Sequence, residues 1–147
     1  MVPCWYHYGM NLLARSTDYA VRAILFMAQD PDQVTSTAEL ESELGLPRPF
    51  MRKTLQVLQK AGYLDSVKGN KGGFTLNRPP AAIRIFDLMT IFQGEISLGD
   101  CLFKKKICSC VKTCPLRKEV KKMEQVLLDR LKKLTIADLI KDNKAGL

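Results

Sequence analysis

The sequence predicts a mainly α-helical fold carrying one short β-hairpin: a winged helix-turn-helix with a two-stranded β wing and a long C-terminal dimerisation helix. Three observations predict it. A short capped helix stops at Gly45 and passes through a tight turn into a proline-started helix with a basic outer face. Directly afterwards, LDSVKGNKGGFTL reads as two short strands joined by a loop containing Gly69, Gly72 and Gly73. Late in the chain, Leu116, Val120, Met123, Leu127, Leu131 and Leu134 step by three or four, the stripe of one long helix.

The elements follow in order. Ser16 or Thr17 is expected to cap a first helix whose apolar positions Ala20, Ala23, Ile24 and Met27 keep helical spacing and which ends before Pro31. Asp18 then lies in its first turn. Ser36 and Glu39 form a capping box for a second helix, which carries Leu40 and Leu44 and is stopped by Gly45. Pro47 and Pro49 set the start of a third, because proline is tolerated where the missing N–H would be unpaired anyway. Met51, Leu55 and Leu58 line its inner face, leaving Arg48, Arg52, Lys53 and Gln56 outward near its N-terminal end. In such a pair the second helix offers its first turns to the DNA major groove.

Gly62 closes the third helix, and the hairpin comes where a wing would stand. Its glycines permit positive backbone dihedrals and close approach to a phosphate or a minor groove. Lys68 and Lys71 supply charge on either side of Gly69 and Asn70. An ordinary surface hairpin would look the same in isolation; its place after a candidate recognition helix favours the wing. GNKGG also resembles a phosphate-binding loop, but the order strand, glycine loop, GK[ST], helix is absent, so nucleotide hydrolysis has no support. Ile85, Leu88, Met89 and Phe92 mark a fourth helix closed by Gly94, expected to pack on the DNA-binding core. Pro115 opens the long helix, whose length suits pairing with a second subunit better than folding back on its own core. Thr135 and Asp138 cap a short last helix, and DNKAGL reads as a frayed end. The predicted organisation is therefore a DNA-binding domain over 10–94, a cysteine-rich cluster-binding loop over 95–115 and dimerisation and terminal helices over 116–140, behind a leader, 1–9, with no assigned role.

The net charge of +8 over 147 residues is informative because of where it sits. Between Leu46 and Arg78 seven basic residues face a single acid, Asp65. Localised positive charge is the footprint of a polyanion-binding face, although a basic helix face can also be plain solvation. No apolar run approaches the roughly 18 residues of a membrane span, and Met1 to Gly9 lacks the pattern of a signal peptide, so no membrane partner and a cytoplasmic location are expected.

Four of the five cysteines, Cys101, Cys108, Cys110 and Cys114, fall within CLFKKKICSCVKTC. Thiolate ligates metals and attacks disulfides, and Lys104, Lys105, Lys106 and Lys112 favour the thiolate at neutral pH. In a reducing compartment such a cluster points to a metal or redox site rather than a structural disulfide framework. An odd cysteine total argues the same way.

The succession TDYAVRAILFMA, LPRPFMRKTLQVLQKAGYL, the SVKGNKGGFTL wing, IFDLMTIFQG, spaced cysteines and a long helix resembles the BadM, IscR and NsrR family of bacterial winged-helix regulators, from about Met10 to Ile140. The combined order is specific; each piece alone is weak. The resemblance implies a homodimer reading a palindromic operator in double-stranded DNA, and an iron-sulfur cluster, of the two-iron or four-iron kind, held by the cysteine loop. It places Arg52 and Lys53 among base-contacting positions and Lys68 with the wing glycines in the minor groove. Three family cysteines spaced by about five residues correspond to Cys101, Cys108 and Cys114, with Cys110 extra. Three thiolates leave one iron a ligand short. The histidine that completes the IscR subgroup is replaced by Arg117, and the only histidine, His7, lies in the leader. The NsrR subgroup uses an acid at the start of the opposite subunit's first helix, which Asp18 matches. The implied ligand set is Cys101, Cys108, Cys114 and Asp18.

These readings give a DNA-binding transcriptional regulator, a repressor, sensing redox state, nitric oxide or iron-sulfur status. A cluster-free regulator is the alternative, in which Cys108 or Cys110 pairs with Cys101 or Cys114 on oxidation. Zinc fits less well, because structural zinc sites usually use two closely spaced ligand couples. A small electron carrier or cluster-transfer protein is a third class, which salt-dependent duplex binding would separate. No acid, base and nucleophile converge, so no enzyme activity is expected.

Overall fold

The computed structural model describes residues 12–98 and 113–144. Its elements are α1 (Arg15–Met27), α2 (Thr37–Leu44), α3 (Arg48–Lys60), β1 (Leu64–Val67), β2 (Gly73–Leu76), a short 3₁₀ turn at Pro80–Ala82, α4 (Ile85–Gln93), α5 (Pro115–Lys133) and α6 (Ile136–Lys144). This is the mainly helical, winged helix-turn-helix fold read from the sequence. No described helix is long and apolar enough to cross a membrane.

α1 is the central helix, packed against α2, α3, α4 and α6. It buries Ala20, Ala23, Ile24 and Met27, as their spacing requires. Its start differs from expectation. The helix begins at Arg15 after Ala14, and neither Ser16 nor Thr17 caps it. Gln93, at the end of α4, does so instead: Oε1 accepts from Ala14 N and from Thr17 Oγ1, each at 2.9 Å, and Nε2 donates to Leu12 O at 2.9 Å. Local sequence patterns cannot reveal a cap supplied from 79 residues away.

The α2 capping box forms as expected. Ser36 Oγ accepts from Glu39 N at 3.1 Å, and Glu39 Oε2 accepts from Ser36 N at 3.4 Å. Gly45 ends the helix at φ 62°, a left-handed conformation that costs glycine little. Pro47 occupies the N-cap of α3 and Pro49 its first turn, while Met51, Thr54, Leu55 and Leu58 turn inward.

β1 and β2 pair antiparallel in the register Leu64↔Leu76 to Val67↔Gly73. The hairpin has an anchor absent from the sequence reading. Thr35 and Phe74 exchange both backbone hydrogen bonds at 2.9 Å, which fastens the base of the wing to the segment leading into α2. Gly73 makes this approach possible, because a Cβ there would strike the Thr35 carbonyl.

α5 divides its apolar stripe. Leu131 is buried, and Leu127, Leu128 and Leu134 pack against the core. Leu116 and Val126 remain 72% and 71% exposed. The last turns therefore fold back on their own core, where the sequence favoured pairing along the whole helix. Main-chain bonds from Ile85 N to Leu134 O (3.0 Å) and Ile136 N to Ile83 O (2.9 Å) explain this, by stitching the end of α5 to the start of α4. Thr135 and Asp138 cap α6 reciprocally, and that helix runs on to Lys144, further than the frayed end expected.

Candidate nucleic-acid interface

Arg48, Arg52, Lys53 and Gln56 are all exposed on α3, as predicted. Their electrostatic setting favours an anion. α3 has no acid in its first turn, so its N-terminal partial positive charge and three cations stand together. Within the fold this is mildly repulsive; against a phosphate backbone it is attractive. Arg48 Nε lies 3.9 Å from Glu41 Oε2, an exposed pair that orients α2 and α3 more than it stabilises them. Arg52 and Lys53 form no ion pair with a described acid.

The wing is held to α3 by specific contacts. Gln59 Nε2 donates to Ser66 Oγ at 2.8 Å, joining the end of α3 to β1. The Arg78 guanidinium sits 4.4 Å over the Tyr63 ring, and its Nε donates to Gly62 O at 3.0 Å. Burial pushes the Tyr63 phenol above its ordinary value; the Asp87 charge adds to this and Arg78 opposes it. Lys68, Gly69, Asn70 and Lys71 form the exposed tip. Gly69 has φ 121°, and a Cβ at Gly72 would collide with the Val67 carbonyl, so the loop's own geometry demands both glycines.

Two of the four predicted iron ligands lie among the described residues. Asp18 is in the first turn of α1, and its partly exposed carboxylate accepts from Arg22 Nε at 2.9 Å. Cys114 is a free, half-buried thiol at the N-cap of α5, and its side chain makes no capping bond. Cys101 and Cys108, with Cys110, the neighbouring lysines and the leader, lie outside the described residues. Among the described residues no three His, Cys, Asp or Glu side chains are gathered to hold a metal. In kind, three thiolates and a carboxylate suit iron, and both described members keep lone pairs available. Sequence reasoning missed Gln93 and Phe50, an aromatic residue 59% exposed in the first turn of α3. A large apolar residue between Arg48 and the basic pair Arg52 and Lys53, outside the inward set of Met51, Leu55 and Leu58, was the available signal for Phe50.

A family model for Rrf2, described as an iron-dependent transcriptional regulator, matches residues 13–142. Among solved structures, T. potens IscR is 25% identical, covers 92% of this chain and 90% of its own, and has a TM-score of 0.72. A putative transcriptional regulator from Listeria innocua is 23% identical over 92% of this chain and 90% of its own, with a TM-score of 0.78. CymR, the global cysteine regulator of B. subtilis, is 21% identical over 88% of this chain and 95% of its own, with a TM-score of 0.69. The latter two establish a shared fold alone.

Proposed function

The chain belongs to the Rrf2 family of transcriptional regulators, and on that premise we propose that it is a homodimeric repressor whose grip on a palindromic operator depends on iron held by its cysteine segment. The observation that carries the DNA reading is the positive charge of Arg52 and Lys53 near the start of α3, paired with no described acid, on a helix tied through Gln59 and Ser66 to a lysine-tipped wing. Arg52, Lys53 and Gln56 read base edges in the major groove, Arg48 meets phosphate, and Lys68, Asn70 and Lys71 follow the minor groove. The exposed apolar residues Leu116, Met123 and Val126 along α5 support the dimer seam.

For iron, the family's description as iron-dependent supports the choice over a bare thiol switch. Cys101, Cys108 and Cys114 would hold an iron-sulfur cluster, with Asp18 of the opposite subunit as the fourth ligand. When bound, such a cluster supplies a redox- and nitric-oxide-sensitive centre. The residues around it would fix the separation of two recognition helices, which must match half-sites about 34 to 36 Å apart. A coupling of about 1 to 3 kcal/mol changes affinity by roughly 5- to 150-fold. Protein purified without air and assayed for iron, sulfide and duplex binding, before and after iron removal, tests this. Equal affinities at one salt concentration refute sensing by iron. Oxidant-dependent binding without iron would transfer the role to a cysteine disulfide.

A further inference from the structure

The first turn of α1, the flank of α3 and the end of α4 enclose an open cavity of about 560 Å³. Its size lies within the roughly 300 to 1,000 Å³ typical of small-ligand sites. Tyr19, Phe50, Ile91 and Phe92 form apolar walls, and Arg15 and Lys53 stand among them. The Tyr19 and Phe50 rings face each other edge-on, 6.5 Å apart at 64°, so the wall between α1 and α3 is a paired aromatic surface rather than two loose side chains. Phe50 and Ile91 nonetheless keep 59% and 36% of their surface exposed. An apolar concavity of this extent is costly to leave wet.

Charge selects the occupant. Neither Arg15 nor Lys53 is paired with a described acid, and the nearest acid along α1, Asp18, gives its carboxylate to Arg22. Apolar walls with unspent cations among them suit a flat apolar body ending in an anion. A neutral or cationic ligand would leave those cations unanswered, and a phosphate backbone would make no use of the rings. We infer that this cavity is a binding site for a small aromatic carboxylate, its ring against Tyr19, Phe50 and Phe92 and its carboxylate on Arg15 and Lys53. The inference does not depend on the iron reading; it shares Lys53 with the DNA reading, and the test is made without DNA so that the two fail separately.

Indole-3-propionate, its neutral amide and the corresponding amine, titrated calorimetrically into the full chain in the absence of DNA, provide the test. The carboxylate should bind saturably, one per chain, about tenfold more tightly than the amide, with the amine weakest. Ile91→Trp should abolish binding by filling the space. Arg15→Gln, at an exposed position, should lower carboxylate affinity severalfold, toward the level of the amide, because Lys53 remains, while leaving amide binding unchanged. If Ile91→Trp fails to fold, the Arg15→Gln comparison decides alone. Absence of saturable binding overturns the inference, since the cavity is then covered by another part of the chain or a second copy. Equal binding of all three probes, or binding untouched by Arg15→Gln, overturns it too.

Discussion

Gln93 is the residue whose removal the structure prices most clearly. Gln93→Ala deletes the two acceptor bonds from Ala14 N and Thr17 Oγ1 and the donor bond to Leu12 O. Thr17 is fully buried, so its hydroxyl is left without a partner, at a cost of about 1 to 3 kcal/mol. Loss of the N-terminal cap adds about 1 kcal/mol. The sum, about 2 to 4 kcal/mol, corresponds to a fall in melting temperature of about 4 to 16 °C for a chain of this size. Gln93→Glu keeps an acceptor for both donors, loses only the bond to Leu12 O and puts negative charge where the α1 dipole favours it, so it should cost under about 1 kcal/mol. Thr17→Val in the Gln93→Ala background should recover about 1 kcal/mol by removing the stranded hydroxyl. The assay is denaturant unfolding of the full chain followed by circular dichroism, at one protein concentration because association shifts apparent stability. Stability of Gln93→Ala within about 0.5 kcal/mol of wild type, or equal losses for Ala and Glu, would falsify the capping role.

Other expectations follow from the same geometry. Removing both wing lysines, Lys68→Ala with Lys71→Ala, should flatten the plot of log affinity against log salt by about 2 units if each meets a phosphate; an unchanged slope removes the wing from the interface. Arg52→Ala should relax operator preference at one base pair by about 1 to 3 kcal/mol, whereas a uniform loss across sequences would reassign it to the backbone. Gly73→Ala should cost about 1 to 3 kcal/mol by driving Thr35 away from Phe74, visible as faster amide exchange at both residues. Thr135, through its hydroxyl and backbone N–H, holds the Asp138 carboxyl below its ordinary value. The stability it contributes is therefore complete above the ordinary carboxylate pKa of about 4 and is lost as pH falls through the lower folded value. Asp138→Asn should flatten the acid limb of an unfolding-versus-pH curve, and an unchanged limb would dismiss the cap as its source.

Local chemistry was legible where one short stretch determines it. Ser36 with Glu39, Gly45, Pro47 with Pro49, and Thr135 with Asp138 all shape the chain as their spacing says, because caps and turns are settled within about four residues. The inner faces of α1 and α3 were legible for a related reason, since a 3.6-residue period needs no knowledge of the partner. Long-range contacts were not legible. Gln93 caps α1 across the fold, Thr35 extends the wing's pairing, and Leu134 is stitched to Ile85, all joining residues distant in sequence. The α5 stripe shows the limit most plainly: periodicity marks which positions are apolar, but whether the chain's own core or another surface covers them depends on where the helix ends are tied. The basic face was readable as charge on α3 and the wing, whereas the separate cavity between α1, α3 and α4 depends on three helices meeting.

Those long-range ties also bear on the proposed coupling between the cysteine segment and α3. Gln93, the last residue of α4, clamps the first turn of α1, where Asp18 sits. Five residues on, Leu98 N is held by Glu124 Oε2 of α5 at 2.8 Å, and Cys114 begins α5 itself. Both described flanks of the cysteine segment are therefore tied to α5, Leu98 through Glu124 and Cys114 as its N-cap residue. α4 packs on α1, and α1 packs on α3, which completes a contiguous route of helix contacts to the basic face. Releasing Asp18 from Arg22 to serve as a ligand opposes this little: an exposed i,i+4 pair is worth about 0.3 to 0.5 kcal/mol, well below the coupling of about 1 to 3 kcal/mol that the proposed switch requires.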